Sequence, residues 1–114
     1  MDIITRIQKL ENRSWFYARP CGELDMDSAE TLKSVLINGL LKNGCRMLWL
    51  DMTDVTFIDS SGLGVILGRY RELKPAGGKI VITGANEQIH RLLIAAGLHR
   101  IIKIEKAQPH EEVR

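Results

Sequence analysis

Ser60 and Ser61, preceded by Asp59 and followed by Gly62 and Gly64, are the residues whose types and spacing best support chemistry in this chain. They stand where a short apolar run gives way to a helical pattern, the place where α/β proteins put their sites. A serine hydroxyl there either caps the helix by accepting an orphan backbone N–H or stands free and exposed as a functional group. Two serines are present where one cap suffices. Gly62 and Gly64 each cost a helix about 1 kcal/mol against alanine, and they strip side chains from around the serines so that another backbone can approach. On the residues alone, the cap-only and functional-hydroxyl readings stand level.

Other chemistry fails template by template. The stretch from Gly68 to Lys74 is no phosphate loop, because its glycine lies inside a helical pattern and no G-K-[ST] follows. Gly77-Gly78-Lys79 comes nearer but opens a strand instead of a helix. A nucleophile elbow is missing, since Asp59 stands two positions before Ser61. His90, His99 and His110 are scattered, with helix-surface, capping and tail positions. Cys21 and Cys45 form no C-x-x-C or metal spacing and read as two small buried hydrophobes in a reducing cytoplasm. No enzyme, metal or cofactor is expected.

The elements that must position the serines follow from periodicity. Ile3 to Leu10 and Trp15 to Cys21 read as a hairpin around a turn at Glu11-Asn12-Arg13-Ser14, with Pro20 late in its strand or at a bulge. Asp27 and Glu30 have capping-box spacing ahead of a helix carrying Ala29, Leu32, Val35, Leu36 and Leu40, stopped by Asn43-Gly44. Met47 to Leu50 is a strand buried on both faces, and Val55 and Phe57 carry the apolar signal towards Asp59. Leu63, Ile66, Leu67, Tyr70 and Leu73 make a second helical stripe, ended by Pro75 and Gly77-Gly78. Lys79 to Thr83 is another buried strand. Asn86 caps a third helix with Ile89, Leu92, Leu93 and Ala96, closed by Gly97. Ile101 to Ile104 forms the last strand. Hairpin followed by alternating helix and strand implies one α/β domain over residues 1–114, its mixed sheet parallel in the later part and residues 105–114 a frayed polar tail.

Composition narrows the class further. Of 114 residues, 16 are basic and 14 acidic, a formal charge of +2 that is too balanced for a nucleic-acid grip. Aromatic residues at 5% argue against base-stacking platforms. The N-terminus lacks a basic leader before an apolar core, and no apolar stretch reaches the ~18 residues of a membrane span. A cytoplasmic location is expected.

Gly22-Glu23-Leu24-Asp25, with the run from Phe57 through Asp59-Ser60-Ser61-Gly62-Leu63-Gly64 to Gly68-Arg69-Tyr70, resembles the anti-sigma factor antagonists of the STAS domain family. The likeness extends from about Ile3 to about Glu105, and Gly68-Arg69-Tyr70 favours the sporulation, sigma-F branch found in endospore-forming bacteria. The resemblance implies a single-domain STAS fold and a phosphorylation-controlled binding protein, monomeric when free. Ser60 matches the phosphoacceptor. An anti-sigma factor that is also an ATP-dependent serine kinase binds the unphosphorylated form and releases its sigma factor; phosphorylation ends the interaction and a serine phosphatase restores it. Glu23, Asp25 and Leu63 match positions near the kinase-facing surface of the family; Asn86 opens another helix on the same side, and with Asp59, Ser61, Gly62 and Gly64 of the serine motif they make the expected partner-binding set. Neither nucleic acid nor membrane is implied as a direct partner.

Three alternatives compete. An antagonist serving a general-stress sigma factor and a STAS scaffold or transporter-regulatory module share the fold. A receiver-like domain would need Asp51, Asp54 and Asp59 as an acidic magnesium pocket, but the first turn offers only Glu11-Asn12, and Asp51 and Asp54 read better as solvated loop acids. Trp15 and Trp49 are read as core or rim.

Overall fold

The computed structural model describes residues 1–105 of the chain. The hairpin of β1 (Asp2–Leu10) and β2 (Arg13–Leu24) pairs antiparallel along its whole length, from Leu10 opposite Arg13 to Asp2 opposite Cys21. Its turn is tighter than the four residues expected. Glu11 and Asn12 alone make it, with φ of 52° and 64°, the left-handed pair that matches the twist of the flanking strands. Cys21 is exposed on β2, contrary to expectation, while Cys45 is buried; both are free thiols.

β2 is long because it serves two parallel neighbours in succession. Trp15 to Ala18 pair with β3 (Met47–Asp51), and Gly22 to Leu24 pair with β4 (Val55–Ile58), with a register irregularity between Gly22 and Glu23. Pro20 falls between the two ladders, where its missing N–H breaks neither. Beyond β3 the sheet continues in parallel through β5 (Lys79–Thr83) to β6 (Lys103–Glu105), giving the order β1-β2-β3-β5-β6 with β4 against β2. The α/β class and the mixed sheet with a parallel later part are as expected. β6 begins two residues late, because Leu98–Arg100 turns as a 3-10 helix and holds Ile101 and Ile102 outside the strand. Glu105 closes β6, and the rest of the expected tail, with His110, lies outside the described residues.

The helices are α1 (Met26–Lys42), α2 (Ser60–Leu73) and α3 (Glu87–Ala95). Leu32, Leu36 and Leu40 of α1 pack with Val65, Ile66 and Leu73 of α2 and Ile89 and Leu93 of α3 in the main core. Leu92 and Ala96 turn outward. Ala96 is the C-cap of α3, and Gly97 follows it in the left-handed conformation at φ 80°, one position later than expected. On the other sheet face Trp15, Tyr17, Met47, Trp49 and Val81 form a second cluster. Every residue of β3 is buried, as its continuous apolar run requires. The run ends on a carboxylate: Asp51 is fully buried, not a solvated loop acid. The Tyr17 hydroxyl donates to its Oδ2 at 2.6 Å, and Thr53 donates to Oδ1 from its backbone N–H at 3.0 Å and from its hydroxyl. Burial, followed by the Asp51 carboxylate, pushes the Tyr17 phenol up from its ordinary range.

Candidate functional site

Parallel strands carry their C-terminal ends to one edge of a sheet, so the helices that follow β2, β4 and β5 start side by side. The N-caps are Asp25, Asp59 and Asn86, each extended at the cap. The first two are bound by register: Leu24 lies opposite Ile58, and the Asp59 N–H donates to the Leu24 carbonyl at 3.1 Å.

The capping box of α1 lies two residues before the expected one. Asp25 Oδ1 accepts the backbone N–H groups of Asp27 at 3.0 Å and Ser28 at 3.1 Å, and Ser28 Oγ accepts the Asp25 N–H at 3.0 Å. Asp27 sits inside the first turn, where its charge complements the positive end of the helix dipole. The amide of Ser28 is the main cause that holds the Asp25 carboxyl below its usual range.

The cap of α2 decides what the two serines do. Neither serine is the cap. Asp59, at φ −117° and ψ −170°, accepts the N–H of Ser61 at 2.8 Å and of Gly62 at 3.3 Å through Oδ1. Ser60 is the first helical residue and is exposed; Ser61 is half-buried. Neither hydroxyl makes a hydrogen bond with another group among the described residues.

The two glycines differ in purpose. Gly62 is buried, and a Cβ there would stand 2.6 Å from the Leu24 carbonyl oxygen and 2.8 Å from Ile58 Cγ1. It lets the first turn of α2 press on the ends of β2 and β4, a close approach within the chain and not to an outside backbone. Gly64 is exposed, and an added Cβ there meets nothing within 4 Å. Leu63 is half-buried against the core.

Glu23, Asp25, Asp59, Ser60 and Ser61 therefore gather at two adjoining helix starts, with Asn86 capping α3 on the same edge through the Ile89 N–H at 2.8 Å. Two uncovered apolar side chains adjoin them. Phe57, opposite Glu23 in register, is 45% exposed, and Met26, beside Asp25, is 77% exposed. Phe57 was legible as an apolar residue, but only the outward face of β4 reveals that it is uncovered.

The acids of the receiver-like alternative do not converge. Asp51 is held by Tyr17 and Thr53, Asp54 pairs with Arg19 Nε at 2.8 Å, and Asp59 is spent on α2. Among the described residues no group of three His, Cys, Asp or Glu side chains is placed to hold a metal ion, and no helix is long and apolar enough to cross a membrane. His90 lies half-buried on α3 and His99 on the following 3-10 turn.

A family model for the STAS domain matches residues 6–111. An anti-sigma F factor antagonist of Paenibacillus polymyxa is 33% identical over 99 residues, covering 87% of this chain and 85% of the relative. An anti-sigma-B factor antagonist of Bacillus subtilis is 33% identical over 94 residues, with 82% and 84% covered. Among solved structures, a Thermotoga maritima protein superposes with a TM-score of 0.79 at 27% identity, covering 90% of this chain and 86% of that one. The anti-sigma factor antagonist SpoIIAA in its unphosphorylated form superposes with a TM-score of 0.71 at 20% identity, covering 96% and 94%, a likeness of fold.

Proposed function

The chain belongs to the STAS domain family, and on that premise we propose that it is an anti-sigma factor antagonist switched by phosphorylation of Ser60. Unphosphorylated, it binds an anti-sigma factor that is also a serine kinase and so frees a sigma factor for transcription. Phosphate on Ser60 ends the interaction, and a serine phosphatase resets it. The chain is then a cytoplasmic regulatory protein and a substrate of enzymes, not itself an enzyme, and acts as a monomer when free.

The observation that carries this reading is the spare hydroxyl. Because Asp59 already caps α2, Ser60 is exposed at the first helical position with its Oγ unused among the described residues. A kinase can reach that oxygen without dismantling the helix, and the N-terminal amides and dipole tolerate the added charge. Glu23, Asp25, Ser61, Leu63, Gly64 and Asn86 flank it as the partner-facing surface. Gly62 serves that surface from below by packing, since it is buried.

Incubation with the anti-sigma F factor of Paenibacillus polymyxa and ATP tests the assignment by intact mass. Wild type and Ser61→Ala gain one phosphate; Ser60→Ala gains none. Undiminished phosphorylation of Ser60→Ala overturns it.

A second reading, service to a general-stress sigma factor, has the support of relatives named for sigma-B at the same 33% identity as the sigma-F relative. The Gly68-Arg69-Tyr70 resemblance favours sporulation. Side-by-side binding to the anti-sigma F and anti-sigma-B factors of those two organisms separates the readings, with tighter binding to the first expected.

A further inference from the structure

The buried face of α2 contains a guanidinium. Arg69 is only 4% exposed. Its Nε donates to Glu72 Oε1 at 3.1 Å, but Nη1 is fully buried with no hydrogen-bond acceptor among the described residues. Arginine keeps its charge at any accessible pH, so this is a buried cationic donor left unsatisfied, a condition that folded proteins avoid unless something else supplies the acceptor.

Arg69 lines a cleft of about 270 Å³ between α1 and α2, together with Glu30, Lys33, Ser61, Gly64 and Gly68. The glycines are not required by packing, because an added Cβ at Gly64 or Gly68 meets nothing within 4 Å. They lower helix propensity and keep the α2 wall of the cleft open. The charged lining is Lys33, Arg69 and Glu30; Glu72 compensates Arg69 on its Nε side, and Glu30 pairs with neither cation among the described residues.

We propose that the α1–α2 cleft binds a single carboxylate, accepted by the Arg69 guanidinium with Lys33 and the Ser61 hydroxyl as further donors. The planar fork of arginine matches a carboxylate, and filling the empty acceptor position is the driving force. The site stands independently of Ser60 phosphorylation.

Titration of the ¹⁵N-labelled full chain at constant ionic strength tests it, read at the Arg69 Nε–H resonance. The probes are sodium acetate and the blocked peptide acetyl-Ala-Glu-Ala-amide. Saturable shifts are expected, with half-saturation on the order of 1–10 mM for acetate, a ligand of four heavy atoms. Lys33→Gln and Gly64→Val each weaken binding about tenfold; both change exposed positions, so they keep the test alive if Arg69→Gln fails to fold. Tighter peptide binding assigns the carboxylate to a protein side chain, and equal or tighter acetate binding assigns it to a small free acid; both support the site. Non-saturating shifts with both probes, or saturation unchanged in both variants, overturn it, as does inorganic phosphate binding more tightly than acetate. Because no kinase or partner is present, failure here leaves the Ser60 reading untouched.

Discussion

The Asp59 amide donates to the Leu24 carbonyl at 3.1 Å, and this bond ties the loop that leads into α2 to the strand that leads into α1. The same carbonyl oxygen is the atom that a Cβ on Gly62 would meet first. One peptide unit of β2 thus sets both the height and the closeness of the Ser60 turn. The two helix starts are tied together by these contacts, which gives an exposed serine on a first turn a fixed surround.

Gly62 and Gly64 separate packing from openness. Gly62→Ala forces a Cβ to 2.6 Å from the Leu24 oxygen, a backbone atom that cannot step aside. It should destabilise the domain by about 1–3 kcal/mol. Gly64→Ala meets nothing and should leave stability unchanged or raise it by up to about 1 kcal/mol. Urea denaturation of both variants checks the pair; equal midpoints would show that the close approach is not felt.

The cap assignment is tested by the neighbouring pair. Asp59→Ala removes the acceptor of two backbone N–H groups and should cost about 0.5–2 kcal/mol. Ser60→Ala removes a hydroxyl that bonds nothing described and should stay within about 0.5 kcal/mol of wild type. Thermal or urea unfolding compares them. A larger loss in Ser60→Ala than in Asp59→Ala would move the cap to the serine.

Much of this was legible in the sequence, and the gaps have physical causes. Leu32, Leu36 and Leu40 keep the helical period, and Met47 to Leu50 and Ile80 to Ile82 are continuous apolar runs, so their elements and burial follow from local pattern. Local pattern cannot choose among adjacent good caps. Asp25 and Asp27, or Asp59, Ser60 and Ser61, are all capping types, and only backbone dihedrals decide which turns first. Asp51 was misread because its partner Tyr17 lies 34 positions away on a neighbouring strand. Arg69 was hidden for a similar reason: charge predicts exposure residue by residue, and its burial is a property of two packed helices.

The cysteines offer an inexpensive check on strand faces. Cys21 is exposed, whereas Cys45 is buried and its thiol is pushed up by that burial. Thiolate is the reactive form. An aromatic disulfide reagent at pH 8 should label Cys21 promptly and Cys45 only on unfolding. Two fast equivalents would contradict the burial of Cys45, and none would contradict the outward position of Cys21 on β2.

Asp25 gives the fold an acid-sensitive point. Its folded pKa is depressed, chiefly by the Ser28 amide. The stabilisation is therefore present above the unfolded carboxylate pKa and is lost as pH falls through the lower folded value. Asp25→Asn should lose stability relative to wild type at neutral pH, and the gap should close on acidification below the ordinary value of 3.8. Denaturation midpoints across that window check it, with the Asp25 carboxyl titration by NMR as a direct reading. A gap that stays constant to the lowest folded pH would show that the carboxylate charge is not what the cap uses.

Ser60→Asp asks whether charge alone operates the switch. A carboxylate at the first position of α2 meets the amide ends and the positive pole of the helix, so the fold should persist with unchanged unfolding cooperativity. The surroundings on the side proposed to face the partner are different. Asp25 and Asp59 stand at the two tied helix starts, and Phe57 and Met26 are uncovered nearby, so a partner fitted here closes over apolar groups and a neutral hydroxyl. An anion placed at that contact must lose water without gaining a counter-charge. A penalty of 1.4 kcal/mol is already tenfold, and phosphoserine, at about −1.5 to −2 charges, should exceed what aspartate does. Calorimetry with the Paenibacillus polymyxa anti-sigma F factor should show at least tenfold weaker binding, about 1.4 kcal/mol, for Ser60→Asp. Ser60→Asn, of the same size but neutral, should retain most of the affinity. If the two variants weaken binding equally, size rather than charge sets the switch; if neither weakens it, Ser60 lies outside the contact.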